Sequence, residues 1–149
     1  MNITTKLIRM TNKQRYNLAH LHWQEITYPS AFKAGFTHDP PMPVVTKANG
    51  LTNFICNYLN WSGHRATRIN VSGRKVKDKW IRSTTRKGTA DISATINGKS
   101  VMIEIKIGRD KPSLDQLAEQ IKERNAGGIY EFISSVDEFF MLYDKVLSL

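Results

Sequence analysis

Only one cysteine, Cys56, occurs in the chain. It cannot close an internal disulfide, so nothing here needs an oxidising compartment, and a lone thiol in this setting reads as a small buried hydrophobe. Long apolar runs are missing too. None approaches the ~18 residues of a membrane span, and the first residues carry no apolar signal-peptide core, which points to a cytoplasmic, soluble protein. Repeats and low-complexity segments are absent, and acid is scarce: 13 Asp and Glu stand against 22 Lys and Arg, for a net charge of +9.

What is present is enough for one folded unit. A length of 149 residues with 40% hydrophobic content supports a single core and leaves too little chain for two. The positive charge is concentrated. Between His64 and Lys87 there are nine basic residues and one acid, Asp78. Arg68, Arg74, Lys75, Lys77, Lys79, Arg82, Arg86 and Lys87, with Trp80 among them, form a segment suited to a nucleic-acid backbone. Each neutralised phosphate releases counterions there, and an aromatic ring can stack on a base. An acidic protein surface is the competing partner for such a segment.

Local patterns divide the chain into an N-terminal part, 1–48, and a larger part, 49–149. In the first, Thr11 and Gln14 form a capping-box pattern that opens a helix over 11–26, with Leu18, Leu21, Trp23 and Ile26 as its inner side. Residues 28–45 hold four prolines and read as a linker. In the second, Leu51, Phe54, Ile55, Tyr58 and Leu59 recur at helical spacing before Gly63. A strand follows at 64–71, and the basic segment 72–87 reads as a loop or projecting ribbon. Two strands surround Asn97-Gly98, a strong hairpin signal because both turn residues must accept positive φ. A helix over 112–128 opens at Ser113, with Leu114, Leu117, Ala118 and Ile121 as its expected inner stripe. A strand at 128–133 and a helix at 134–147, opened by a Ser135–Glu138 capping box, complete the order. The expected fold is α/β, a mixed sheet flanked by helices, preceded by an extra N-terminal helical segment.

The hairpin carries the chemistry. A two-residue loop sets Ile96 opposite Lys99, and that register, continued outward, sets Asp91 opposite Glu104. Alternation sends Ile92, Ala94, Ile96, Val101, Ile103, Ile105 and Ile107 to one face and Asp91, Glu104 and Lys106 to the other. Two facing carboxylates repel, and a divalent cation relieves that repulsion. Mg²⁺ takes one or two carboxylates and fills its octahedron with carbonyls, waters or substrate phosphate. The backbone carbonyl of Ile105 is a third candidate ligand, and Lys106 is placed to hold a nucleophilic water or developing negative charge. Taken alone, such a trio is more often a solvated charge cluster worth about 0.2–1 kcal/mol. The basic segment upstream and the glutamine-bearing helix downstream shift the reading toward a site. His20, His22, His38 and His64 are not read as metal ligands.

The stretch KGTADISATINGKSVMIEIK, with PSLDQ and AGG after it, resembles the PD-(D/E)xK nuclease superfamily, and within it the virus-type replication-repair nuclease (VRR-NUC) group, over residues 49–133. The resemblance implies a restriction-endonuclease-like αβββαβ core and Mg²⁺- or Mn²⁺-dependent hydrolysis of phosphodiester bonds in duplex or branched DNA during replication, repair or recombination. It implies metal ligation by Asp91 and Glu104, catalysis by Lys106, and orientation of the site by Gln116, with Gln120 as the fallback. It also implies a homodimer, and a phage origin would suit the family. Two departures stand out. Ala90 replaces the usual proline before the aspartate. No glutamate occurs over 49–61, where many relatives place one, leaving Asn49 or Asn53 as weak substitutes. A catalytically inactive DNA-binding module on the same fold is therefore the alternative.

Overall fold

Tyr16, near the start of the first described helix, belongs to the N-terminal part by sequence, yet it is fully buried in the same core as Leu51, Phe54 and Ile55. In the computed structural model, which describes residues 10–69, 74–81 and 85–149, this helix is α1 (Asn12–Thr27). It opens with the expected Thr11–Gln14 capping box, both halves of which are formed. A short helix, α2 (Pro29–Lys33), interrupts the expected linker, with Pro29 in the first turn where a missing N–H costs nothing. The amphipathic helix is α3 (Ala48–Trp61), and Leu51, Phe54, Ile55, Tyr58 and Leu59 are all buried.

Strand β1 (Arg65–Arg68) follows. The basic segment is a separate two-stranded ribbon, β2 (Arg74–Val76) against β3 (Lys79–Ile81), turning at Lys77, whose φ is 53°. The central hairpin is β4 (Ile92–Ile96) and β5 (Lys99–Ile105). Helix α4 (Leu114–Asn125), strand β6 (Ile129–Ile133) and helix α5 (Val136–Leu147) complete the chain. Ser135 caps α5, but Glu138 returns to Ser134 rather than to Ser135.

The main sheet has the order β1-β4-β5-β6, antiparallel except for the β5/β6 pair. The hairpin register is the expected one, Ile96 opposite Lys99 through Ile92 opposite Ile103, with Asn97 and Gly98 at φ 49° and 77°. The odd-numbered apolar face of β5 and its partners on β4 are buried under α3 and α5. Helix α4 lies on the opposite face, where Glu104 and Ser100 project.

Two helices present a different side inward from the one their apolar spacing suggests. In α1 the buried residues are Arg15, Tyr16, His20 and Gln24, while Leu18, Leu21 and Ile26 are exposed. The reason lies on the neighbouring elements: Tyr16 stacks on Phe54 at 4.4 Å, and Arg15 sits over the Phe140 ring while bridging Asp144 at 2.7 Å. These contacts tie the N-terminal helix into the same core. In α4 the expected stripe of Leu114, Leu117, Ala118 and Ile121 is exposed, Leu114 at 85%, and Glu119 is the buried residue. No helix among the described residues is long and apolar enough to cross a membrane.

Candidate active site

The polar inner side of α4 follows from what lies beneath it. The sheet face it covers carries Ser100 and Glu104, so this helix is held by hydrogen bonds rather than by aliphatic contact. Glu123 accepts from Ser100 Oγ at 2.7 Å, Gln120 donates to the Tyr130 carbonyl at 2.9 Å, and Gln116 donates to Glu104 Oε1 at 2.5 Å.

Asp91 stands immediately before β4 and is fixed at two points. Its carbonyl accepts from the Ile69 amide at 2.7 Å, extending the β1/β4 pairing, and its side-chain Oδ2 accepts from the Ile105 amide at 3.0 Å. The carboxylate thus takes over a ladder bond where the backbone pairing of β4 with β5 ends, beside Glu104. Glu104 itself is only 6% exposed. Burial first, and the charge of Asp91 second, hold its carboxyl above the ordinary carboxylate range, against the opposing pull of Lys106. Lys106 Nζ lies 3.2 Å from Glu104 Oε1 and 3.4 Å from Asp110 Oδ2, and its backbone amide donates to the Ile133 carbonyl.

Ser113 caps α4 by accepting from the Gln116 amide, and the Gln116 side-chain oxygen accepts from the Ser113 amide at 2.9 Å in return. Both ends of the Gln116 side-chain amide are therefore engaged, one by the helix start and one by Glu104. The turn before Asp91 is locked to the same helix. Gly88 has φ +81°, and a Cβ there would collide with the Asp115 carbonyl oxygen. Its own carbonyl accepts from the buried Tyr130 hydroxyl at 2.9 Å. Burial, reinforced by Glu104 and Asp91, pushes the Tyr130 phenol strongly up, so the hydroxyl keeps its proton and remains a donor. Arg86 reaches Glu119 at 2.6 Å, and Lys122 reaches the same carboxylate at 2.8 Å. Lys122 first, with help from Arg86, draws Glu119 below the usual carboxylate range against its own desolvation.

Asp91, Glu104, Lys106 and Gln116 are thus brought to one place at the end of the hairpin, with the Ile105 backbone between Glu104 and Lys106. Among the described residues no group of three or more His, Cys, Asp or Glu side chains could hold a metal, so any cation here would rest on two carboxylates and other oxygens. Asn49, the substitute for a helix glutamate, accepts from Arg68 at 2.5 Å, and Asn53 is exposed. Gln120 serves the Tyr130 carbonyl and not Glu104.

The predicted nucleic-acid residues fall on several elements. The backbones of Arg74, Lys75, Lys77, Lys79 and Trp80 form the β2/β3 ribbon, with Lys77 and Lys79 exposed; Arg82 lies outside the described residues. Lys87 is exposed beside Gly88, and Arg86 shares its guanidinium with Glu119. Spacing alone did not reveal Gly88, Tyr130 and Glu119 as supports of the Asp91 turn, because their partners are distant in the chain. Cys56 is partly buried, and burial pushes its thiol up to about 11, in keeping with an unreactive side chain. His64 pairs with the Tyr143 hydroxyl at 3.0 Å. Neither a protein-family model, nor a curated protein, nor a solved structure matches this chain.

Proposed function

We propose that the protein is a Mg²⁺- or Mn²⁺-dependent nuclease that hydrolyses phosphodiester bonds in duplex or branched DNA. One observation carries the reading: a buried glutamate with a raised proton affinity lies beside a second carboxylate, with a lysine at 3.2 Å and a glutamine at 2.5 Å on the same oxygen. A structural ion cluster gains little from a second acid beside a buried one, whereas a cation site requires it. The element order α3, β1, β4, β5, α4, β6, with three antiparallel strands and a parallel fourth, supports the αβββαβ restriction-endonuclease-like architecture.

The residues fit a hard divalent ion. Asp91 and Glu104 would hold it, with the Ile105 carbonyl as third ligand. When bound, such an ion supplies charge neutralisation for the two acids and for the scissile phosphate, and an acidified water. The protein's own groups do the rest. Gln116 and Lys106 hold Glu104 Oε1, which fixes the carboxylate's orientation. The Lys106 ammonium, itself only 12% exposed, stabilises charge gathering on the phosphoryl oxygens as water attacks in line. The basic ribbon and Lys87 bind the DNA backbone next to the Asp91 turn.

The test is direct. Purified protein is mixed with nicked, forked and four-way DNA in Mn²⁺ and in Mg²⁺. Cleavage abolished by chelation and by Asp91→Asn is the expected result. Intact substrate under every condition, with DNA still bound, leaves the inactive binding module as the correct reading.

A further inference from the structure

Lys106 is held on two sides, and the second side carries a role of its own. Beyond β5 the chain folds into a four-residue turn, Ile107–Asp110, closed by the Asp110 amide donating to the Ile107 carbonyl at 3.2 Å. Gly108 sits in this turn at φ +64°, and nothing lies within 4 Å of where a Cβ would stand. Backbone conformation, not space, therefore calls for glycine there. The turn brings the Asp110 carboxylate back to Lys106, where Oδ2 accepts from Nζ at 3.4 Å. The Lys106 side chain is only 12% exposed and that of Asp110 57%, so the acid lies on the solvent side of a nearly buried ammonium.

An ammonium has three N–H donors on a flexible stem, and one partner leaves it free to turn. Here two carboxylates fix it, Glu104 Oε1 at 3.2 Å and Asp110 Oδ2 at 3.4 Å. One N–H is left for a substrate oxygen. Glu104 is a weak anchor by itself, because its oxygens also serve Gln116 and, in the nuclease reading, the cation. An open carboxylate at this place has a cost: it repels the phosphates of an approaching strand, and a pair with one exposed partner adds little to stability. We propose that Asp110 is a positioning residue for phosphodiester hydrolysis and acts through Lys106. It holds the ammonium so that the remaining N–H meets the phosphoryl oxygen on which charge gathers. The inference rests on the nuclease reading and adds a residue to it.

The experiment separates rate from affinity in the full chain. Single-turnover cleavage is measured in Mn²⁺ at saturating protein on nicked, forked and four-way DNA, and DNA affinity is measured in chelator. Asp110→Ala should cleave about tenfold more slowly or worse, yet bind DNA as tightly as wild type or more tightly, since a negative charge has gone. Asp110→Asn, which keeps an oxygen acceptor for the ammonium, should recover part of the rate. In a Lys106→Ala background, Asp110→Ala should slow cleavage by less than a further factor of about two, because its effect passes through the missing ammonium. Arg109→Ala, exposed in the same turn, should keep the wild-type rate. A rate for Asp110→Ala within about twofold of wild type, a full additional loss in the double variant, or an equal loss in Arg109→Ala would overturn the role. If wild type leaves all three DNAs intact, the nuclease reading falls and this inference with it; cleavage by wild type and Asp110→Ala alike overturns this inference alone.

Discussion

Gln116 holds Glu104 with one end of its side-chain amide and the Ser113 backbone with the other, at 2.5 Å and 2.9 Å. One residue therefore starts α4 and orients the buried acid. Gln116→Ala should cost about 1 kcal/mol of stability through the lost cap and lower cleavage as well. Gln116→Glu keeps an acceptor for Ser113 but sets a like charge against Glu104. Its loss of stability should be largest at neutral pH and shrink as the carboxylates protonate, and activity should be lost. Urea melts and cleavage rates on the three proteins separate the roles; full activity in Gln116→Glu would refute the orienting role.

Lys106→Ala should leave DNA affinity within about twofold and slow cleavage by about a hundredfold or more, the scale of a lost charge stabiliser. Parallel loss of binding and cleavage would assign Lys106 to substrate binding instead.

Glu104 gives a prediction whose sign is fixed. Its folded-state proton affinity is raised by burial and by Asp91. The folded protein therefore retains a proton that the unfolded chain has released, and stability falls as pH rises from the ordinary carboxylate value to the raised one. Glu104→Gln should melt at a higher temperature than wild type at about pH 7.5, with the advantage fading near the ordinary glutamate value of about 4.3. Millimolar Mn²⁺ should raise the melting temperature of wild type and not of the variant. A lower melting temperature for Glu104→Gln at neutral pH contradicts this account.

Gly88→Ala should be among the most damaging single changes outside the core. It forces a side chain into positive φ and against the Asp115 carbonyl, at an expected cost of about 2 kcal/mol or more. Denaturant unfolding measures it, and a loss below about 0.5 kcal/mol would mean the turn can move away from α4.

The hairpin was legible because an Asn-Gly turn leaves one register, which runs from Ile96 opposite Lys99 to Ile92 opposite Ile103; beyond it Asp91 meets the Ile105 amide through its side chain instead of continuing the ladder. The succession of helices and strands along the chain around it followed from their periodicity, whereas the sheet order β1-β4-β5-β6 did not. The inner side of α4 was not legible, since counting apolar residues finds Leu114, Leu117 and Ile121, whereas Gln116, Gln120 and Glu123 are drawn inward by partners on the sheet. The same holds for α1. Arg15 is buried because Asp144 and Phe140 wait for it at the other end of the chain, a contact that no local window contains.

All four candidate catalytic side chains come from a single hairpin and the first turn of the helix after it. Their supports from outside come from the end of β1 at Ile69 and from Tyr130 and Ile133 of β6. The Pro-rich connector ahead of α3 and the tip of the basic ribbon should therefore tolerate inserted or exchanged segments, so that what the protein grips could be altered by grafting while the acids stay as they are.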